Sequence, residues 1–133
     1  MRLKKFLIFL VIAIGLAISI NIFIVTHHIP ERLDILKHKD LYENCKRTAQ
    51  TYGKYKIAVC VHGEKIRPEE LTSIIYDESG EILLPDHEQN PAWKAAARIA
   101  LESIPYPYMS YSVFPLDGGF YMMAFGPNAY HKE

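Results

Sequence analysis

The pattern of apolar and polar positions divides the chain into two unequal parts. From Phe6 to Thr26 the residues FLIFLVIAIGLAISINIFIVT carry no charge and are almost all apolar. A helix of that length rises about 31 Å, enough to cross the hydrocarbon core of a bilayer. Arg2, Lys4 and Lys5 stand just before it, and positive residues stay on the cytoplasmic side. The pattern therefore predicts a cytoplasmic N-terminus over residues 1–5, a transmembrane helix over 6–26 and an outer domain over 27–133. The alternative is a secretory signal, since Ala17-Ile18-Ser19 has the small-x-small spacing of a cleavage site. Cleavage there would leave the apolar stretch Ile20 to Thr26 on the mature protein, which favours the uncleaved anchor. The expected setting is a bacterial inner membrane, with the lipid bilayer as the first partner and the domain periplasmic or extracellular.

Beyond Thr26 the apolar positions become periodic. Leu33, Leu36, Leu41, Cys45, Ala49 and Tyr52 recur at helical spacing between Pro30, a good first helical residue, and Gly53, a good terminator. One helix is predicted there. Tyr55 to His62 alternates as a strand, with Tyr55, Ile57, Val59 and Val61 on one side. Gly63 to Glu70 is polar, contains Pro68, and reads as a loop. Leu71 to Leu84 reads as a hairpin, two β-rich arms around Asp77-Glu78-Ser79-Gly80. Asn90-Pro91 opens a second helix as cap and first turn. In that helix Trp93, Ala96, Ala97, Ala100, Leu101 and Ile104 form one apolar stripe, and Pro105 and Pro107 stop it. Met109 to Leu116 and Phe120 to Phe125 flank Asp117-Gly118-Gly119 as a second hairpin, closed by Gly126-Pro127. The expected fold is α+β, a transmembrane helix followed by a domain of about five antiparallel strands with two helices.

Composition narrows the function. The net charge of zero conceals an asymmetry: three of the 15 basic residues precede the anchor, leaving 12 against 15 acidic residues in the outer domain. Such a domain, without a basic cluster, is a poor nucleic-acid binder. The two cysteines, Cys45 and Cys60, both lie in the outer part, where an oxidising compartment permits a disulfide. Buried free thiols are the alternative, because spacing does not fix whether the Cβ atoms face each other.

Ile74-Ile75-Tyr76-Asp77-Glu78-Ser79-Gly80-Glu81-Ile82-Leu83, behind a membrane anchor, resembles the strand–turn–strand stretch of the extracytoplasmic sensor domains of bacterial histidine kinases, which are PAS-like (PDC or single Cache) folds. Phe120 to Pro127 is similar to the last sensor strand of that family. The resemblance implies a PAS-like domain, pairing of two copies through residues 30–53, and a sensory role. The chain departs from the family pattern in having no acidic run facing the membrane, no second transmembrane helix and no kinase domain.

Candidate chemistry is sparse. Asp86-His87-Glu88 and His62-x-Glu64 offer metal-ligand types without supporting spacing, so no metal and no cofactor is predicted. Cys60 and His62 share a strand face, but a disulfide or a packed cysteine outweighs an activated thiol, and no enzymatic activity is expected. His27 and His28 fall at the outer interface and read as headgroup-level caps in preference to a pH sensor. An aromatic and methionine cluster fills the C-terminal third. Alternation should expose part of it, and Trp93, Tyr106, Tyr108, Tyr111, Tyr121 and Met123 are the candidate partner or ligand surface.

The expected function is a non-enzymatic, single-pass accessory or regulatory subunit that binds an envelope protein or a small ligand. The alternative is a structural, exclusion or immunity subunit of a secretion, pilus or conjugation machine, with a ferredoxin-like domain. Strand order separates the two. A pocket under the second helix favours the sensor, and two helix–strand–strand units side by side favour the machine subunit.

Overall fold

A computed structural model describes residues 2–27, 29–67 and 70–126, with the side chains of 2, 25, 30, 62–67 and 70 outside the description. The expected close of the last strand at Gly126-Pro127, and the reading of His28, fall in part or whole outside the described residues.

The apolar run forms α1, Arg2–Thr26. Residues Leu3–Ile24 of it are long and apolar enough to cross a membrane, and none of that surface is buried against the rest of the chain. The helix expected over 30–53 is instead three elements: α2 (Ile29–Lys37), α3 (Lys39–Thr48) and a short strand β1 (Gln50–Tyr52). The break falls at His38, whose φ of −113° and ψ of 38° leave the helical region. Its ring Nδ1 lies 3.0 Å from Asp34 Oδ1, and Tyr42 donates to Asp34 Oδ2 at 2.6 Å, so the corner is held from both sides. Gly53, in the left-handed region at φ 64°, does not end a helix but reverses the chain between β1 and β2.

Strand β2 runs Tyr55–Arg67, through the segment expected to be a loop. It pairs antiparallel with β3 (Glu70–Asp77), and shifts of register at Val59/Val61, His62/Glu64 and Glu64/Arg67 keep the polar stretch in the ladder. Strand β3 is therefore the second arm of a β2–β3 hairpin, not the first arm of one over Leu71–Leu84. After Asp77 the chain does not return as a strand. Gly80 adopts φ 72° and Glu81–Leu83 form a 3-10 turn. Of the three apolar residues expected to build a strand arm, only Ile82 enters the core, while Leu83 and Leu84 stay exposed.

Helix α4 (Pro91–Ala100) begins as expected, Asn90 accepting from the Ala92 N–H at 2.9 Å, and ends short of Ile104 in a series of turns. The C-terminal hairpin forms from β4 (Tyr111–Pro115) and β5 (Phe120–Phe125). Its turn needs glycine at Gly119, where φ is 82° and a Cβ would meet the Tyr76 ring at 3.1 Å.

The five-stranded antiparallel sheet has the order β1-β2-β3-β5-β4. Period-two alternation sends neighbouring residues to opposite faces. Ile75, Met123 and Phe125 meet α4 through Trp93, Ala97 and Leu101. Ile74, Tyr76, Phe120 and Met122 form a second core with Tyr42 of α3 and Ile35 of α2. Both faces are thus covered, and the fold is a three-layer α+β sandwich. Cys45 of α3 and Cys60 of β2 are joined by a disulfide, which ties the α2–α3 layer covalently to the sheet. Arg32 of α2 lies 3.7 Å from Asp117 in the β4–β5 turn.

Candidate interaction surface

The proposed aromatic surface is redistributed by the two-sided burial. Trp93 and Met123 have no exposed area and Tyr106 only 5%. These three are core residues and offer nothing to a partner, because the α4 layer covers the sheet face that alternation alone would leave open. Tyr111 and Tyr121 are half-buried, and Tyr108, in the turns after α4, is 91% exposed. The six residues do not form one surface.

Burial sets the chemistry of this cluster. Tyr106 and Tyr111 face each other with ring centroids 5.4 Å apart, and the Tyr106 hydroxyl bonds to Tyr111. Burial, with Tyr111 and the Asp86 carboxylate nearby, pushes the Tyr106 phenol far above its ordinary range. Burial raises Tyr111 too, with Asp86 adding to it, and Tyr121, with Asp77 adding to it. Tyr76 is raised by burial and by Glu78, Asp77 and Glu43. All four are held neutral, as packing residues and hydrogen-bond partners.

Asp77 is the most buried charged residue described, with no exposed area. Its Oδ1 accepts from the Ser79 N–H at 3.0 Å and hydroxyl at 2.7 Å. Its Oδ2 accepts from the Ile82 N–H at 3.1 Å and from Trp93 Nε1–H at 3.1 Å. One carboxylate thus fixes the turn after β3, the 3-10 segment and the position of α4. Glu81 repeats the device: Oε1 accepts from the Tyr55 hydroxyl at 3.2 Å and Oε2 from the Asn90 N–H at 2.7 Å. The Asp-x-x-Gly pattern is a clamp between elements.

What these clamps position is an open apolar groove of about 480 Å³ between the β1–β2 turn and α4. Tyr52 and Tyr55 form one wall and Ala92, Ala95, Ala96 and Ile99 the other. The alanines make the groove, since larger side chains on α4 would fill it. Lys54 stands over the Tyr55 ring at 5.1 Å and gives the rim a positive charge. Ile99 is 56% exposed. The sequence carried a signal for this: Ala92, Ala95 and Ile99 recur at i, i+3 and i+7 beside the buried stripe, so the apolar face of α4 is wider than one contact needs. A second open groove of about 310 Å³ lies across Tyr52, lined by Cys45, Ala49, Ala58 and Ser103 among others.

Among the described residues no group of three His, Cys, Asp or Glu is placed to hold a metal ion. Asp86 pairs with Lys94 at 3.1 Å and His87 with Glu88 at 3.5 Å, both at the surface. The side chains of His62 and Glu64 lie outside the described residues. The chain matches no protein-family model, no curated protein and no solved structure.

Proposed function

We propose that this chain is a single-pass membrane protein whose disulfide-tied α+β domain stands outside the cytoplasm and binds another envelope protein, without enzymatic activity. The observation that carries the reading is the open apolar groove bounded by Tyr52, Tyr55, Ala95 and Ile99, next to a core whose large side chains are filled in. Apolar area left open at a surface serves contact with a partner. The apolar α1 and the Cys45–Cys60 disulfide support the setting, and Arg2, Lys4 and Lys5 support an N-terminus on the cytoplasmic side. Strand order supports a structural subunit of an envelope machine. Strands β2–β3 and β5–β4 lie side by side, one pair preceded by α3 (with β1 between) and the other by α4.

The PAS-like sensor is the second reading. A five-stranded antiparallel sheet behind an N-terminal span supports it. One observation weighs against it: the Asp77–Gly80 turn leads into a 3-10 segment instead of a returning strand.

The test compares the full-length tagged protein with Ile99→Arg and Ala95→Arg variants, each recovered from mild-detergent membranes. A stoichiometric envelope protein that co-purifies with the parent and is reduced at least tenfold by both variants supports the reading. A partner retained equally by parent and variants removes the groove as the contact.

A further inference from the structure

One wall of the apolar groove is the edge of the sheet. Strand β1 is the last strand on that side and is three residues long. In an antiparallel ladder each residue directs its N–H and its C=O to the same side, and neighbours alternate. Lys56 turns to β3, because its carbonyl accepts from the Glu78 N–H at 3.1 Å. Thr51 stands opposite Lys56. The two form a pair that exchanges no bonds, so Thr51 turns its N–H and C=O outward. Thr51 is exposed, and among the described residues nothing pairs with either group. Strand β2 continues past the end of β1, but its register shifts, the first between Val59 and Val61, blunt that part of the edge. The stretch open to another strand is therefore β1 itself.

The other wall is α4. Ala92, Ala95 and Ile99 line the groove over about 10 Å of helix, the length of three extended residues. A helix lying in this space offers Thr51 no ladder partner, since its own main chain is already bonded. An extended segment pairs with Thr51 and sends alternate side chains towards the alanines. Lys54 marks the end of the groove at the β1–β2 turn. Its ammonium stands over the Tyr55 ring at 5.1 Å, and no carboxylate among the described residues pairs with it. The groove thus offers three things to an occupant: a free main-chain donor and acceptor, an apolar floor and an unpaired cation at one end.

We infer that the groove takes an extended, acidic segment of the partner protein as a sixth strand beside β1. The segment's main chain bonds to the N–H and C=O of Thr51. One apolar side chain fills the space over Ala95 and Ile99, and one carboxylate side chain meets Lys54. Strand addition of this kind draws affinity from the main chain and specificity from the side chains that enter the pocket. The inference rests on the groove reading and adds what the partner presents there, a strand in place of a folded face.

The experiment presents the full-length protein, in detergent micelles, with a phage library of random linear ten-residue peptides held between fixed flanks. The expected result is enrichment of peptides that carry apolar residues with Asp or Glu. Their binding falls at least tenfold with Thr51→Pro, Ile99→Arg and Lys54→Glu, and stays within twofold with Thr51→Ala and Lys54→Arg. Thr51→Pro removes an N–H that no described residue uses, and an unchanged circular dichroism melt shows that the variant folds. Hydrogen exchange of the Thr51 amide in the parent protein tests the same bond without any variant, and a selected peptide should slow it at least tenfold. Peptides lost with Ile99→Arg but indifferent to Thr51→Pro, with Thr51 exchange unchanged, overturn the strand and leave the groove reading standing. Peptides indifferent to Ile99→Arg, or no enriched peptide, overturn the strand as well, while the co-purification described above decides the groove reading separately.

Discussion

Trp93 donates its indole N–H to Oδ2 of Asp77 at 3.1 Å, and neither residue keeps any exposed surface. The bond joins the last residue of β3 to the first turn of α4, across the whole 3-10 segment. Asp77→Ala removes the acceptor and strands four donors, so it is expected to destabilise the domain by about 3 kcal/mol or more. Trp93→Phe keeps much of the packing and costs about 1–2 kcal/mol. Urea unfolding followed by circular dichroism checks both. A double-mutant cycle should show coupling, and additive losses would mean that the bond contributes nothing of its own.

The Cys45–Cys60 bridge closes a loop of sequence separation 15. In the chain-entropy model such a bridge contributes about 3 kcal/mol. A maleimide-polyethylene glycol reagent should shift the protein in gel mobility only after reduction, and the reduced domain should unfold at a lower urea midpoint. Labelling without reductant would contradict the bridge.

Gly119 meets two demands at once, a φ of 82° and the Tyr76 ring 3.1 Å from where a Cβ would stand. Gly119→Ala is expected to cost about 1–2 kcal/mol, more than Gly53→Ala, whose Cβ position is open. Parallel thermal melts rank the two. Equal losses would show that strain alone, without the ring contact, sets the cost.

Alkaline pH acts through the buried phenols. Tyr76, Tyr106, Tyr111 and Tyr121 are raised in the folded state, chiefly by burial. Folding then favours the protonated form. Their contribution to stability is fully present below the unfolded tyrosine range near pH 10 and is lost as pH rises through the folded values. Absorbance at 295 nm should show a group of tyrosines ionising late and together with unfolding. Simple titration of all nine near pH 10 without unfolding would contradict the packing.

The long apolar helix α1, α4 and the β4–β5 hairpin are legible in the sequence because each signal is local: an uncharged run, an Asn-Pro cap with a 3.6-residue stripe, and a Gly-Gly turn. The Asp77–Gly80 turn misled because its residues suit a hairpin, while the return strand depends on who pairs with β3. That position was taken by β5, forty residues later, and only Ile82 found a place in the core. The Tyr52–Gly53 boundary misled for a similar reason, since glycine ends helices and reverses strands alike. The partner surface assigned to Trp93, Tyr106 and Met123 failed because alternation reports two faces without saying how many are covered. The groove depends on alanines at Ala92 and Ala95, whose meaning appears only when Tyr52 stands opposite.

The connection between α1 and α2 is short. From Thr26 to Ile29 the chain spans three residues, at most about 10 Å even if extended. A domain of this size is about 35 Å across. On the proposed reading, with α1 in a bilayer, this tether holds every part of the domain within a shallow layer above the lipid, and the domain cannot search the wider compartment. Any partner must come to the bilayer surface to be met, and two tethered molecules meet by diffusion in a plane, where a weak contact acts at a high effective concentration.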